Sequence, residues 1–178
     1  MLARGKITKL YNKRSQIWES GVLTGSCCVR LVIEECHSIA DNPDALEDLS
    51  KGDFEALMAE LFARKGFDID LYRGCKDDGI DFLKVDGDQG DPIIVCVQCK
   101  HPDKTKNGKK RRSLPVATIR EIYGVAKAHH PDGCVAITSS TYTPEAKKFA
   151  DLKPDEISVA NAQDILAWVH QYRWNSDE

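Results

Sequence analysis

The chain has 178 residues, 30% of them charged and 42% apolar, which is the composition of an ordinary soluble protein long enough to bury one core and carry an appendage. No stretch of eighteen apolar residues occurs, which excludes a helical membrane span, and the first six residues lead into no apolar signal core, so a cytoplasmic location is expected. A net charge of −3 argues against a general nucleic-acid binder unless the cations are concentrated in one place, and seven cysteines, an odd number, point to free thiols.

Residues 1–45 read as an N-terminal, helical extension. Lys6, Lys9, Lys13 and Arg14 interleave with Ile7, Leu10, Tyr11 and Ile17, the pattern of a short amphipathic helix; a loosely ordered arm is the other reading. Val29, Val32, Ile33, Cys36, Ile39 and Ala40 recur at helical spacing up to Asp41-Asn42-Pro43, although their β-branched content leaves a strand open for part of the segment. Residues 46–174 read as the main domain. Ser50 is the expected N-cap of a helix, with Asp53 three positions on. Phe54, Leu57, Met58, Leu61 and Phe62 form its apolar face and Gly66 its end. At about 100° per residue, Glu55 borders that face, whereas Glu60 points away from it.

Phe67 to Tyr72 predicts a short strand and Arg73 to Lys76 a turn. Ile80 to Val85 alternates, Asp86 to Pro92 supplies turn residues, and Ile93 to Val97 is an apolar run expected to be covered on both faces. Gln98 and Lys100 close that run two residues apart and so share a face. His101 to Arg112 reads as a mobile polar loop. From Lys100 to Arg112 there are seven Lys or Arg and one acid, Asp103. Pro115 opens a helix with Val116, Ile119, Tyr123 and Ala126 on one face, where Gly124 suggests close packing on a sheet. His129 to Gly133 ends it. A buried strand, Cys134 to Ile137, follows and finishes in Thr138-Ser139-Ser140, hydroxyls suited either to a phosphate or to strand-end capping. A helix from Thr143, a strand at Ile157 to Val159 and a helix from Asn161 to about Trp174 complete the chain. The order predicts an α/β sandwich with a mixed central sheet flanked by helices.

A polar pair ending a buried strand costs free energy unless it is partnered or used. If the strands around residues 80–100 pair as a hairpin, Asp81, Gln98 and Lys100 come together. A carboxylate there can hold a divalent cation against a phosphate, and a lysine can offset transition-state charge or help deprotonate water. Cys96 and Cys99 match a CxxC pattern, but three residues along a strand put the sulfurs on opposite faces, so they do not converge on one zinc; Cys96 reads as core.

The residues Asp81, Gln98 and Lys100 resemble the D-(x)n-QxK active-site variant of Mrr-type restriction endonucleases, within the PD-(D/E)xK nuclease superfamily. Asp53-Phe54-Glu55, Lys76 to Asp81, Val97 to Lys100, Ile119 to Gly124 and Ala136 to Ser140 also stand in that family's order. The resemblance implies a restriction-endonuclease-like αβββαβ core and Mg²⁺-dependent hydrolysis of DNA, with Mn²⁺ as a substitute ion. It implies metal binding by Glu55, Asp81 and the backbone carbonyl of Cys99, a catalytic Lys100, and an amide at Gln98 in place of the commoner acid. Lys104, Lys106, Lys109, Lys110, Arg111 and Arg112 are then candidate contacts to the backbone of double-stranded DNA. A homodimer on DNA, and a separate recognition subunit, are the partners expected. The competing readings are a non-catalytic nucleic-acid-binding subunit of the same fold and a junction-resolving repair nuclease.

Overall fold

The longest strand, β3 (Ile93–Lys100), is the middle of a five-stranded sheet. In the computed structural model, which describes residues 36–65, 67–71, 80–86, 93–104 and 111–171, strands β1 (Asp68–Leu71) and β2 (Phe82–Asp86) precede it. Strands β4 (Gly133–Thr138) and β5 (Ile157–Ala160) follow. The order in space is β1-β2-β3-β4-β5. The first three are antiparallel, as hairpins require, and β3, β4 and β5 are parallel because a helix crosses over between each pair. Helices α1 (Lys51–Arg64), α2 (Val116–His129), α3 (Pro144–Asp151) and α4 (Ala162–Gln171) cover the two faces.

The period of two along the central strands sorts side chains into two layers. Val97, Cys99, Ile137 and Ala160 pack with Phe54, Leu57, Met58, Leu61 and Phe62 of α1 and with Ile165 and Val169 of α4. Cys96, Cys134, Ala136 and Ile157 pack on the other face with Ile119, Ile122 and Ala126 of α2 and Ala146 and Ala150 of α3. Cys96 and Cys99 therefore face opposite layers, both buried, and the four described cysteines are free thiols.

Local chemistry fixes the helix ends. Ser50 Oγ accepts the Asp53 N–H at 3.2 Å and donates to Asp53 Oδ2 at 2.5 Å, a reciprocal cap of α1. Asn161 Oδ1 accepts the Gln163 N–H and Asp164 Oδ2 accepts the Asn161 N–H, each at 2.8 Å, at the start of α4. His130, at φ 52°, closes α2 in the left-handed region. Leu114 re-enters the body of the protein through an isolated parallel bridge to Tyr142; its N–H donates to Thr141 O at 2.8 Å, and its carbonyl accepts from Thr143 N–H at 3.0 Å.

Three expectations change. Gly124 is exposed and a Cβ there would meet nothing within 4 Å, so it is not a close-packing glycine. Ile122, not Tyr123, shares the buried face of α2; Tyr123 is half-buried with its hydroxyl donating to Glu156 Oε2 at 2.6 Å. Ile93 is 51% exposed and Ile94 and Val95 are half-buried, so β3 is fully buried only from Cys96 to Cys99. Residues 36–41 are helical, and Cys36 and Ile39 are fully buried in the α1 layer, so the packed body begins ahead of residue 46. The patterns read at residues 1–35, the turns at 73–76 and 87–92 and the end of the last helix beyond Gln171 lie outside the described residues.

Candidate active site at the end of the third strand

β3 outlasts its antiparallel neighbour. The first β2 residue, Phe82, pairs with Val97, whereas on the other side β3 stays paired with β4 through Gln98↔Ala136, Cys99↔Ile137 and Lys100↔Thr138. The backbone of β3 beyond Val97 thus needs partners on the β2 side. Asp81 supplies them: its N–H donates to Val97 O at 3.0 Å, and its Oδ2 accepts the Cys99 N–H. That register sets Asp81 across from Gln98, as a hairpin requires.

Glu55 comes from the second turn of α1. Phe54 beside it is fully buried against the sheet, and this anchors the turn over the end of β3. Glu55, Asp81, Gln98 and Lys100 line one cleft of about 440 Å³. Burial pushes the Asp81 carboxyl above the ordinary carboxylate range, although the Cys99 N–H and the Lys100 charge pull it down. The Cys99 thiol is held well above its usual range by burial, then by the Asp81 and Glu55 carboxylates, so its sulfur is not a ready ligand or nucleophile. Lys100 is pinned through its carbonyl, which accepts from Thr138 Oγ1 at 2.8 Å and from Ser139 N–H at 3.3 Å.

Two of the three hydroxyls at the end of β4, those of Thr138 and Ser140, serve as capping groups, whereas Ser139 Oγ is buried without a partner among the described residues. Besides Thr138, Ser140 Oγ donates to the carbonyls of Arg111 and Arg112 at 3.1 and 3.0 Å. Among the described residues no three His, Cys, Asp or Glu side chains converge on a cation position. A divalent ion here would be held by two carboxylates completed by backbone and water oxygens, a hard-oxygen set suited to Mg²⁺. The donors fit: Asp81 is a half-buried carboxylate whose desolvation a cation would offset.

The basic segment divides. Lys104 is exposed and pairs with Asp48 at 2.6 Å, and Arg112 is exposed. Lys106, Lys109 and Lys110 lie outside the described residues. Arg111 is the correction: it is only 9% exposed, and its guanidinium donates to the carbonyls of Pro102 and Glu47, so as placed it is not presented to a phosphate. His101, which the loop reading treated as solvated, is 7% exposed and stacks on Phe54. No periodic signal marks either residue, since each is buried by contacts between segments far apart in the chain.

The fold is an α/β sandwich with a cleft of mixed charge at the end of its central strand. The family model Mrr_cat, described as restriction endonuclease, matches residues 46–169, and the chain belongs to this family. The match takes in the whole sheet and the residues that line the cleft. A search of curated proteins gives no match. Among solved structures the chain is similar to the DNA modification-dependent restriction endonuclease AspBHI, at 17% identity and a TM-score of 0.54, over 83% of this chain and 36% of that one. It also matches MspJI restriction endonuclease in complex with a 27-mer oligonucleotide, at 16% identity and TM-score 0.48, over 83% and 32%. FokI matches at 13% and 0.45, over 89% and 29%. The likeness to AspBHI carries the fold, and this chain spans little more than a third of that protein. No helix among the described residues is long and apolar enough to cross a membrane.

Proposed function

We propose that the chain is a Mg²⁺-dependent endonuclease that hydrolyses phosphodiester bonds in double-stranded DNA, with Mn²⁺ able to substitute, in restriction of foreign DNA. The observation that carries this reading is the cleft at the end of β3, where Glu55, Asp81, Gln98 and Lys100 line one space. Glu55 and Asp81 hold the ion with the carbonyl of Cys99. That carbonyl is favoured because the Cys99 N–H is directed at Asp81, and in a strand the N–H and C=O of one residue point to the same side. The bound ion would supply Lewis-acid polarisation of the phosphate. Lys100 orients the attacking water, receives or relays its proton through Nζ, and places positive charge beside the developing oxyanion. Gln98 contributes an amide oxygen or N–H to the same cleft, without the charge of a third acid.

Lys104, Lys106, Lys109, Lys110 and Arg112 contact the DNA backbone in this proposal, and two copies act together to cut both strands. Sequence recognition is assigned to a separate domain or subunit, since the described elements are spent on building the core and the cleft. The test is incubation of plasmid with the protein and Mg²⁺ beside an EDTA control, with Asp81→Asn and Lys100→Ala in parallel. Metal-dependent linearisation that both variants lose supports the reading. DNA binding with no cleavage by the parent at any divalent ion would instead make the chain a binding subunit.

A further inference from the structure

Immediately past Lys100 the chain is tied down by a polar knot. His101 stacks on Phe54, with ring centroids 4.8 Å apart and planes 26° from parallel, and Phe54 is the residue before Glu55. His101 Nε2 lies 2.8 Å from Leu49 O, one residue ahead of the α1 cap Ser50, and 2.8 Å from Arg111 Nη2. The Arg111 guanidinium donates to Pro102 O on one side and to Glu47 O on the other. One planar cation thus joins the strand end carrying Lys100, the far end of the basic segment, and the turn that launches the helix carrying Glu55.

This arrangement costs desolvation of a guanidinium on neutral carbonyls, and it leaves Arg111 Nε and His101 Nδ1 buried without partners among the described residues. Exposed ion pairs bridge the same gap, Lys51 to Asp103 at 3.5 Å and Lys104 to Asp48 at 2.6 Å, but solvent screening leaves such pairs little holding power. The buried fork is what can fix the geometry. Arginine suits it because its donors are rigid and planar; a lysine ammonium reaches one carbonyl at a time.

We propose that His101 and Arg111 are positioning residues that lock Lys100 in register with Glu55, so that strand β3 and helix α1 present their catalytic groups as one unit. The proposal rests on the nuclease reading of the cleft. Neither residue touches the reacting atoms; each acts through Lys100 and Glu55.

The test uses Arg111→Gln, Arg111→Lys and His101→Gln in the full chain, the last removing the ring without stranding a buried charge. Single-turnover cleavage at saturating DNA and Mg²⁺ is expected to fall about 10- to 100-fold in all three, the penalty for an ångström-scale displacement of a catalytic group. DNA affinity and its salt slope should stay unchanged. In a Lys100→Ala background Arg111→Gln should cost less than it does in the parent, because one of the two groups it positions is gone. Arg111→Lys is decisive against the alternative: lysine would preserve a phosphate contact, so a parental rate in Arg111→Lys together with a weakened, shallower salt dependence in Arg111→Gln overturns the proposal. Peptide-resolved hydrogen exchange without DNA gives a readout independent of cleavage. Faster exchange in both 98–104 and 47–56, with α2 and α3 unchanged, is expected. Parental exchange in both segments overturns the lock. If the parent cuts no DNA, the nuclease reading fails while the exchange result still decides the lock.

Discussion

The buried imidazole of His101 should make the stability of this domain fall in mild acid, by an amount that follows from its surroundings. Burial lowers its pKa from 6.5 to about 4, and the adjacent Arg111 charge pulls the same way; the bond to the Leu49 carbonyl and the Asp103 carboxylate resist, while Lys51 adds to the lowering. In the unfolded chain the ring titrates near 6.5. Between those values the unfolded state binds the proton and the native state does not, so stability is lost as pH falls from about 6.5 towards 4. Each pH unit is worth about 1.4 kcal/mol, which gives about 3 kcal/mol in full. That is a large part of the 5–15 kcal/mol typical of a whole domain. The assay is urea unfolding of the parent and of His101→Gln at pH 7.5, 6.5, 5.5 and 4.5. Other titrations, including the raised Asp81 carboxyl, are common to both proteins and cancel in the difference. The parent's stability relative to the variant should drop by more than 2 kcal/mol across that range, with nearly all of the change below pH 6.5. Parallel curves would refute the reasoning and return the imidazole to ordinary solvation.

Asp81→Asn should retain the native fold, with a melting temperature at or above the parent's at pH 7, because it removes a desolvated charge and keeps an oxygen for the Cys99 N–H; cleavage should fall at least about 100-fold. Lys100→Ala should lose about 100- to 1,000-fold in rate with DNA affinity retained, and near-parental cleavage by either variant would remove that residue from the site. Neutralising Lys104, Lys109, Lys110 and Arg112 together should weaken binding to all duplex sequences alike and flatten the plot of log affinity against log salt by up to about three to four; an unchanged slope would mean that none of them meets a phosphate. Cys96, with its thiol pushed up to about 12, Cys134 up to about 11 and Cys99, likewise raised by burial, should escape alkylation in the native protein at pH 8, as followed by peptide mass spectrometry, and react only on unfolding.

What could be read from the chain follows from where local pattern meets global packing. The 3.6-residue period of Phe54, Leu57, Met58, Leu61 and Phe62 announces α1, and the run ending at Val97 with Gln98 and Lys100 two apart announces the strand that carries the cleft. The pairing of Asp81 with that strand was accessible because a hairpin has few registers once the apolar residues are assigned. The His101–Arg111 knot was not. A histidine and an arginine within a polar, lysine-rich segment carry the composition of solvent-facing loop, and what buries them is Glu47, Leu49 and Phe54, some fifty to sixty residues earlier. Cys36 and Ile39 were legible as a helical face but not as part of the main core, since period gives a face and says nothing of its partner. Gly124 shows the same limit: low helix propensity has no packing cause here.

The basic segment leaves the sheet at Lys100 and comes back at Leu114, and both of its feet are bolted, the first by the fork on Pro102 and Glu47 and the second by the bridge to Tyr142. A tether held at both ends can change length at small cost, since doubling a loop adds only about 0.6 kcal/mol of closure entropy. On the function proposed above, residues inserted or lost between Thr105 and Lys110 would alter how far the cations reach along a duplex while the groups lining the cleft keep their coordinates. Grip and cut would then be separately adjustable, so that a lineage of such domains could drift in how it holds DNA without having to rebuild the chemistry.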